Sequence, residues 1–173
     1  MTNSIFVTFK KTLFALVFLF HTSFLFATDQ FPDLIICDGN TFYISGTHDE
    51  DFPLYPLLQD EKYNSKMEKY DNQMLKLSGC QPSACYRGYQ AIWELYNGVL
   101  YLKAVLDCCT KEPLFDLEEI FGKEIVTKKG VQAFWINGPF SLSSKPISIF
   151  TIGEDIKMIG FSMKYGRIQK KEW

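Results

Sequence analysis

The chain has 173 residues, 47% of them hydrophobic and 16% aromatic, and a formal net charge of −2 at pH 7. Two of its 18 basic residues, Lys10 and Lys11, lie in the N-terminal segment, so the remainder is more acidic still. Nucleic-acid binding needs a basic surface for the phosphates, and this charge balance excludes nucleic acid as the expected partner.

Residues 1–27 have the pattern of an export signal. Lys10 and Lys11 supply its basic region, an uncharged apolar stretch extends from Thr12 to Phe26, and Ala27 is small enough for cleavage. The apolar stretch is shorter than the roughly 20 residues that a membrane helix needs, with an uncleaved N-terminal anchor as the alternative. We therefore expect a periplasmic or secreted protein in which residues 28–173 form a single β-rich domain without a membrane span.

The first predicted elements after the signal are a hairpin and a loop. Residues 33–45 are apolar on both sides of Asp38-Gly39, a dipeptide that suits a two-residue turn. Residues 47–56 contain consecutive acidic residues and prolines, which predicts a loop. Residues 59–73 are polar and lack a helical stripe, so we expect an exposed connection with a short helix near Leu57.

A second hairpin extends from Tyr86 to Leu106 and is the clearest pattern in the chain. Asn97-Gly98 suits a type I′ turn because both positions require a positive φ. A two-residue turn predicts a register that pairs Leu95 with Leu100, Trp93 with Leu102, Ala91 with Ala104, and Tyr89 with Leu106. Because side chains alternate along a strand, these eight residues share one apolar face. The other side pairs Glu94 with Tyr101 and Ile92 with Lys103. We expect the apolar side to form the centre of the core.

The C-terminal part adds a short helix and more strands. Residues 113–122 begin with proline and end with glycine, as helices often do. Residues 131–136 and 147–152 are typical of strands, with a wide loop after Asn137-Gly138 because Pro139 lacks an amide hydrogen. A long strand follows whose shared face carries Ile159, Phe161, Met163 and Tyr165, and residues 170–173 are expected to fray.

Together these elements predict a mainly β fold. It is an antiparallel sheet built from hairpins, rolled into a barrel or folded into a sandwich, with one or two short helices.

All five cysteines follow the signal, and an exported protein meets an oxidising compartment. Cys85 and Cys108 are the first candidates for a disulfide, because the hairpin places them diagonally on one face. That diagonal spans about 7–8 Å between Cα atoms, so twist must bring them into the usual range of about 4.4–6.8 Å. Cys80 and Cys109 are candidates for a second disulfide, which leaves Cys37. Metal binding is the alternative for the four candidates, but their spacing matches no standard zinc site.

The acidic loop around His48 is the candidate for metal binding. Only His48 of the two histidines follows the signal, and Asp49 and Asp51 lie beside it. Hard cations prefer several carboxylate oxygens. A solvated acidic loop is the favoured interpretation, because the acidic residues are not spaced as in a calcium loop. We expect no cofactor.

The central hairpin contains one candidate for catalysis, Glu94, and three candidates for binding, which are Arg87, Tyr96 and Tyr101. Glu94 has Tyr96 and Tyr101 near it and is the candidate carboxylate for hydrolysis, with an ordinary cross-strand surface group as the alternative. Arg87 lies on the face of Tyr89. Its guanidinium is expected to stack on an aromatic ring or to pair with a buried carboxylate, and a ligand anchor is the alternative.

Residues 87–102 carry Arg87, Gly88, Tyr89 and, further on, Trp93 and Gly98 in a spacing that resembles the RGYxAxWxIxxGxLYL signature of small bacterial proteins without an assigned activity. Leucine stands at position 95, where the signature has isoleucine. The resemblance covers the central hairpin only. It implies a bacterial origin and supplies no catalytic residue.

These observations favour an exported, non-enzymatic binding domain of a bacterial envelope, which binds a partner protein or an envelope component. Tyrosine-rich composition is typical of binding surfaces, and the chain contains no familiar catalytic motif. A carboxylate-based hydrolase, with Glu94 and the His48–Asp51 loop as its candidate residues, and a carrier that holds a small ligand in a barrel cavity are the alternative hypotheses. A pair of carboxylates about 5–10 Å apart is typical of the hydrolase, whereas an apolar pocket is typical of the carrier.

Overall fold

The computed structural model describes residues 31–44, 49–67, 85, 87–146 and 155–172. The expected export signal, His48, Cys80 and the strand expected at residues 147–152 lie outside this part of the chain.

The described residues form one sheet that closes on itself. Its strands are β1 (Asp33–Cys37), β2 (Asn40–Ile44), β3 (Tyr89–Tyr96), β4 (Val99–Asp107), β5 (Val131–Gln132), β6 (Gly138–Ser143), β7 (Met158–Lys164) and β8 (Arg167–Glu172). The order β3-β1-β2-β6-β7-β8-β4 is a closed barrel of seven strands, because β4 also pairs with β3. β5 adds to β4. The mainly β barrel is confirmed, although β1 and β3 run parallel within the otherwise antiparallel sheet.

The first hairpin forms as predicted. Cys37 pairs with Asn40 across the two-residue turn. Asp38 and Gly39 have φ values of 49° and 77°, as the type I′ turn requires.

The central hairpin follows the predicted register near its turn and departs from it further away. Trp93 pairs with Leu102, but a bulge between Ile92 and Trp93 then moves Ala91 opposite Val105. The predicted pairs of Ala91 with Ala104 and of Tyr89 with Leu106 are therefore wrong. The physical reason is the extra residue that the bulge inserts into β4, which turns Val105 inward.

Short helices cover part of the barrel. A 3₁₀ turn at Asp49–Asp51 is followed by α1 (Tyr55–Leu58), α2 (residues 61–67) and α3 (Leu117–Phe121). α1 confirms the helix expected near Leu57. Residues 61–67 differ from the expected exposed connection, because Tyr63 and Met67 are buried. The Tyr63 ring packs on Phe121 with 5.3 Å between ring centroids, and residues 68–73 lie outside the described residues.

Helix α3 is shorter than predicted. It begins after Asp116, whose carboxylate accepts a hydrogen bond from the amide of Glu118 at 2.8 Å, and it ends at Gly122. Pro113 is not part of the helix, because it forms an isolated bridge with Leu106 of β4. The segment before α3 therefore lines the edge of β4.

The strands after α3 also differ from the prediction. The strand expected over residues 131–136 is confined to β5, because the chain turns where Ile136 N donates to Ala133 O at 3.0 Å. The reversal is thus complete before Asn137, and β6 begins at Gly138 in place of the expected wide loop. In β7, Phe161 and Met163 are buried as predicted.

Tyr165 does not lie on the expected strand. It forms the turn between β7 and β8 together with Gly166, at φ values of 50° and 69°. Strand β8 continues to Glu172, so residues 170–172 belong to the sheet rather than to a frayed tail. The pairing of β8 with β7 supplies the hydrogen bonds that keep this segment ordered.

The core fills the interior of the barrel. Trp93, Leu100 and Leu102 are fully buried, and Trp93 packs near Trp135 with 6.3 Å between ring centroids. Next to its turn, the predicted apolar side of the central hairpin therefore forms the centre of the core, as expected.

Cys85 and Cys108 form the predicted disulfide, with 6.3 Å between their Cα atoms. Cys109 also belongs to a disulfide. The prediction that pairs Cys109 with Cys80 extends beyond the described residues.

Candidate functional site

Arg87 is part of a polar cluster inside the fold. Its Nη1 lies 3.1 Å from Oδ1 of Asp33, and the two side chains are 3% and 0% exposed. Its Nη2 donates to the carbonyl of Phe31 at 2.7 Å. The guanidinium carbon lies 3.4 Å from the centroid of the Phe52 ring and 4.7 Å from that of Tyr89. Arg87 therefore makes both structural contacts expected of it, the aromatic stack and the buried carboxylate.

Asp33 connects β1 to β3 through this cluster. Its Oδ1 accepts a hydrogen bond from the amide of Ala91 at 3.1 Å, and its Oδ2 accepts one from Nε1 of Trp93 at 3.2 Å. Complete burial raises the pKa of Asp33, although Arg87 and these two donors act to lower it. Asp33 therefore compensates the charge of Arg87 inside the fold, and the guanidinium is too deeply buried to contact a ligand.

Asp107 is a second buried carboxylate, at the end of β4. Its Oδ1 accepts hydrogen bonds from the amides of Cys109 at 2.8 Å and Thr110 at 2.7 Å. Burial acts to raise the pKa of Asp107, but the hydrogen bonds from Thr110 and Cys109 outweigh it and lower the pKa below its usual value. This carboxylate holds the turn that contains Cys108.

Asp107→Asn is expected to change the acid sensitivity of the fold. Because the folded-state pKa is lowered, the carboxylate stabilises the fold above the unfolded pKa of about 4, and this contribution is lost as the pH falls through the folded-state value. The variant should be about 1 kcal/mol less stable than the original protein near pH 6. Thermal unfolding at pH 6 and pH 3 should show this difference shrinking at the lower pH. A difference that grows towards pH 3 would contradict the assignment.

Glu94 lies on the outer face of the barrel and is paired. Its Oε2 lies 2.9 Å from Nζ of Lys103, and the two side chains are 28% and 30% exposed. Tyr101 is opposite Glu94 and is half-buried. The predicted pairing of Ile92 with Lys103 is wrong, because the bulge places Ala104 opposite Ile92 and leaves Lys103 to reach Glu94.

A patch that we call the hairpin junction lies where the tips of two hairpins meet. The amide of Leu100 donates to the carbonyl of Gly166 at 2.8 Å, and the amide of Ile168 donates to the carbonyl of Gly98 at 2.8 Å. The tip of the β3–β4 hairpin therefore runs beside the tip of the β7–β8 hairpin. The hairpin junction comprises Tyr96, Lys129, Gln132, Lys164, Tyr165 and Arg167.

Two sets of contacts order the side chains of the hairpin junction, one around Tyr96 and one around Tyr165. Nζ of Lys129 lies 3.1 Å from the centroid of the Tyr96 ring. Gln132 donates from Nε2 to the carbonyl of Tyr165 at 2.9 Å and accepts at Oε1 from Nη2 of Arg167 at 3.5 Å. Tyr96 and Tyr165 are 42% and 58% exposed. The patch therefore presents two tyrosine rings among basic side chains.

The candidate metal loop is only partly described. Asp49 and Asp51 lie in the 3₁₀ turn, whereas His48 is outside the described residues. Within the described part of the chain, no group of three or more histidine, cysteine or acidic side chains is placed to hold a metal ion.

The sequence predicts Tyr96, Tyr101, Glu94 and Arg87 as site residues. The structure places the first three on the outer face of the barrel and buries Arg87. It missed Tyr165, Lys129 and the other members of the hairpin junction. The dipeptide Tyr165-Gly166 was the available signal, because glycine after an exposed residue between two strand-like runs is typical of a hairpin turn.

Across residues 31–44, 49–67, 87–146 and 155–172, no helix has the length and apolar character needed to cross a membrane. The fold is that of a closed β-barrel, with the Asp33–Arg87 pair buried and the Glu94–Lys103 pair on the outer face. No family model, no curated protein and no solved structure matches the chain.

Proposed function

We propose that the protein is a non-enzymatic binding domain, exported into a bacterial envelope, that binds a partner protein or an envelope component. The observation that carries this proposal is the hairpin junction, where Tyr96 and Tyr165 are exposed beside basic side chains. Tyrosine and arginine are the residues that contribute much of the binding energy in protein interfaces.

The buried charges support a binding role indirectly. Asp33 and Arg87 are paired inside the fold, and Asp107 holds a turn by accepting backbone hydrogen bonds. These groups are therefore assigned to stability. Glu94, one candidate for the hydrolase, pairs with Lys103 on the outer face, which is typical of a cross-strand surface group.

The closed barrel is compatible with the carrier hypothesis. A carrier also needs an apolar cavity inside the barrel. The interior contains the fully buried Trp93, Leu100, Leu102 and Val131, whereas the hairpin junction is exposed, and the binding role is therefore assigned to the exposed surface.

A photo-crosslinking experiment in the bacterial host tests the proposed function. A photoreactive amino acid replaces Tyr96 in one variant and the exposed Lys123, next to α3, in the control variant. A discrete crosslinked species of greater mass is expected for position 96 and not for position 123. Absence of a crosslinked species at position 96, or the same species at both positions, would contradict the proposal.

Sequencing of the purified protein should give Thr28 as the first residue if the export signal is cleaved after Ala27.

A further inference from the structure

We propose that the hairpin junction binds an acidic, extended segment of a partner protein and that Tyr165 is its central contact. The inference rests on the binding function proposed above and specifies the chemistry of the partner.

The charge of the hairpin junction is the first argument. Lys129 lies over the Tyr96 ring, Nζ of Lys164 lies 5.9 Å from the centroid of the Tyr165 ring, and Arg167 contacts Gln132 between them in the sheet. None of these three basic residues forms an ion pair with a described residue. The chain as a whole is acidic, with 20 acidic and 18 basic residues. A local basic patch on an acidic protein attracts a partner of opposite charge and fixes its orientation.

The net charge of the chain favours a short segment over a long polyanion. Screening limits the attraction to about 8–10 Å at moderate ionic strength, so a segment that fits within the patch interacts mainly with its basic side chains. A nucleic acid or an anionic membrane extends beyond the patch, and acidic residues outnumber basic ones in the rest of the chain. A segment of a partner protein is therefore the occupant that the charge distribution favours.

The backbone of Tyr165 is the second, independent argument. Three hairpin turns in the structure have the same geometry, and their first residues are Asp38, Asn97 and Tyr165, with φ values of 49°, 49° and 50°. Aspartate and asparagine tolerate this left-handed conformation, whereas it is unusual for a bulky residue such as tyrosine. Strain of this kind is found preferentially at functional sites.

The turn is held in this strained conformation from both sides. Asn137 Oδ1 accepts a hydrogen bond from the amide of Tyr165 at 3.0 Å, and Gln132 Nε2 donates to its carbonyl at 2.9 Å. The ring is nevertheless 58% exposed and adds little to the core. A strained position that displays an exposed side chain among cations that form no ion pair with a described residue is suited to contact with another molecule.

Tyr165→Asn tests the inference, because it restores the residue found at the equivalent turn of the central hairpin. The folded protein should become more stable, with an increase in Tm of about 4 °C, since asparagine adopts the turn more readily. The same substitution should weaken binding of an acidic peptide about tenfold, because an exposed aromatic contact is lost. A variant that is more stable yet binds more weakly separates the binding role from a structural one.

The probe is a fluorescent decaglutamate peptide, measured by anisotropy with the full, disulfide-oxidised chain at low salt. The original protein should bind decaglutamate and not decaglutamine. The double variant Lys129→Glu with Arg167→Glu should lose binding, and the control Lys123→Glu, outside the patch, should retain it. Failure of decaglutamate to bind overturns the inference, as does undiminished binding by Tyr165→Asn. Tighter binding of single-stranded DNA or phosphatidylglycerol vesicles also overturns it. A persistent crosslink at position 96 would then show that the binding function holds with a partner of different chemistry.

Discussion

Asp33→Ala is expected to lower the free energy of unfolding by about 3–5 kcal/mol, because it leaves the buried guanidinium of Arg87 without its counter-charge. Arg87 cannot turn towards water easily, since its side chain is 3% exposed and stacks on the Phe52 ring. The substitution also removes the acceptor for the amide of Ala91 and for Nε1 of Trp93. Equilibrium unfolding in denaturant, with the disulfides kept oxidised, measures the change.

Two controls separate the ion pair from a general effect of losing an aspartate. Asp155→Ala removes an exposed carboxylate and should change stability by less than about 0.5 kcal/mol. The double variant Asp33→Asn with Arg87→Met removes both charges, keeps an acceptor for Ala91 and fills the space beside Phe52. It should recover part of the loss, because no uncompensated charge remains buried, although Nε1 of Trp93 loses its acceptor. A loss in Asp33→Ala no greater than in Asp155→Ala would show that the pair does not anchor β1.

Local chemistry explains why two hairpins could be predicted from sequence. Asp38-Gly39 and Asn97-Gly98 fix turns of two residues, and the pairing next to each turn follows from its geometry. Trp93 and Leu102 lie only a few residues from their turn, so their pairing was predicted correctly. The disulfide between Cys85 and Cys108 was also predicted, although the bulge shifts by one residue the register from which it was inferred.

Contacts between distant segments explain most of the errors in the fold. The bulge at Ile92 lets Lys103 reach Glu94 and turns Val105 inward, and no local pattern encodes it. The parallel pairing of β1 with β3 is accompanied by the contact between Asp33 and Arg87, which are 54 residues apart in the sequence. Alternation of apolar residues alone does not reveal such a partner.

The candidate site was only partly predictable for the same reason. Tyr96 was recognised because it belongs to the central hairpin. Tyr165 was placed on a strand, because the alternation of Phe161 and Met163 continues through it, although the turn begins there. The position of Lys129 over the Tyr96 ring joins two elements that the sequence does not relate.

Gly130→Ala is the second substitution with a large expected effect, about 3–4 kcal/mol of lost stability. Gly130 has a φ of 98°, which is strained for a residue with a side chain. A Cβ at this position would also collide with the backbone carbonyl of Leu102, which lies in β4 and has little freedom to move. The collision would push β5 away from β4 and expose Val131, which is fully buried.

Gly138→Ala is the matched control, because Gly138 has a φ of 99° and a Cβ there would meet no atom within 4 Å. It should cost only the backbone strain, about 1 kcal/mol. Denaturant unfolding of both variants therefore isolates the contact with Leu102 as the difference between them. Equal losses would show that the conformation of Gly130, and not its close approach to β4, is what the fold requires. A larger loss for Gly130→Ala would establish that a glycine is needed to bring β5 against β4. Lys129 and Gln132 adjoin this contact, so the same glycine would then position two side chains of the hairpin junction.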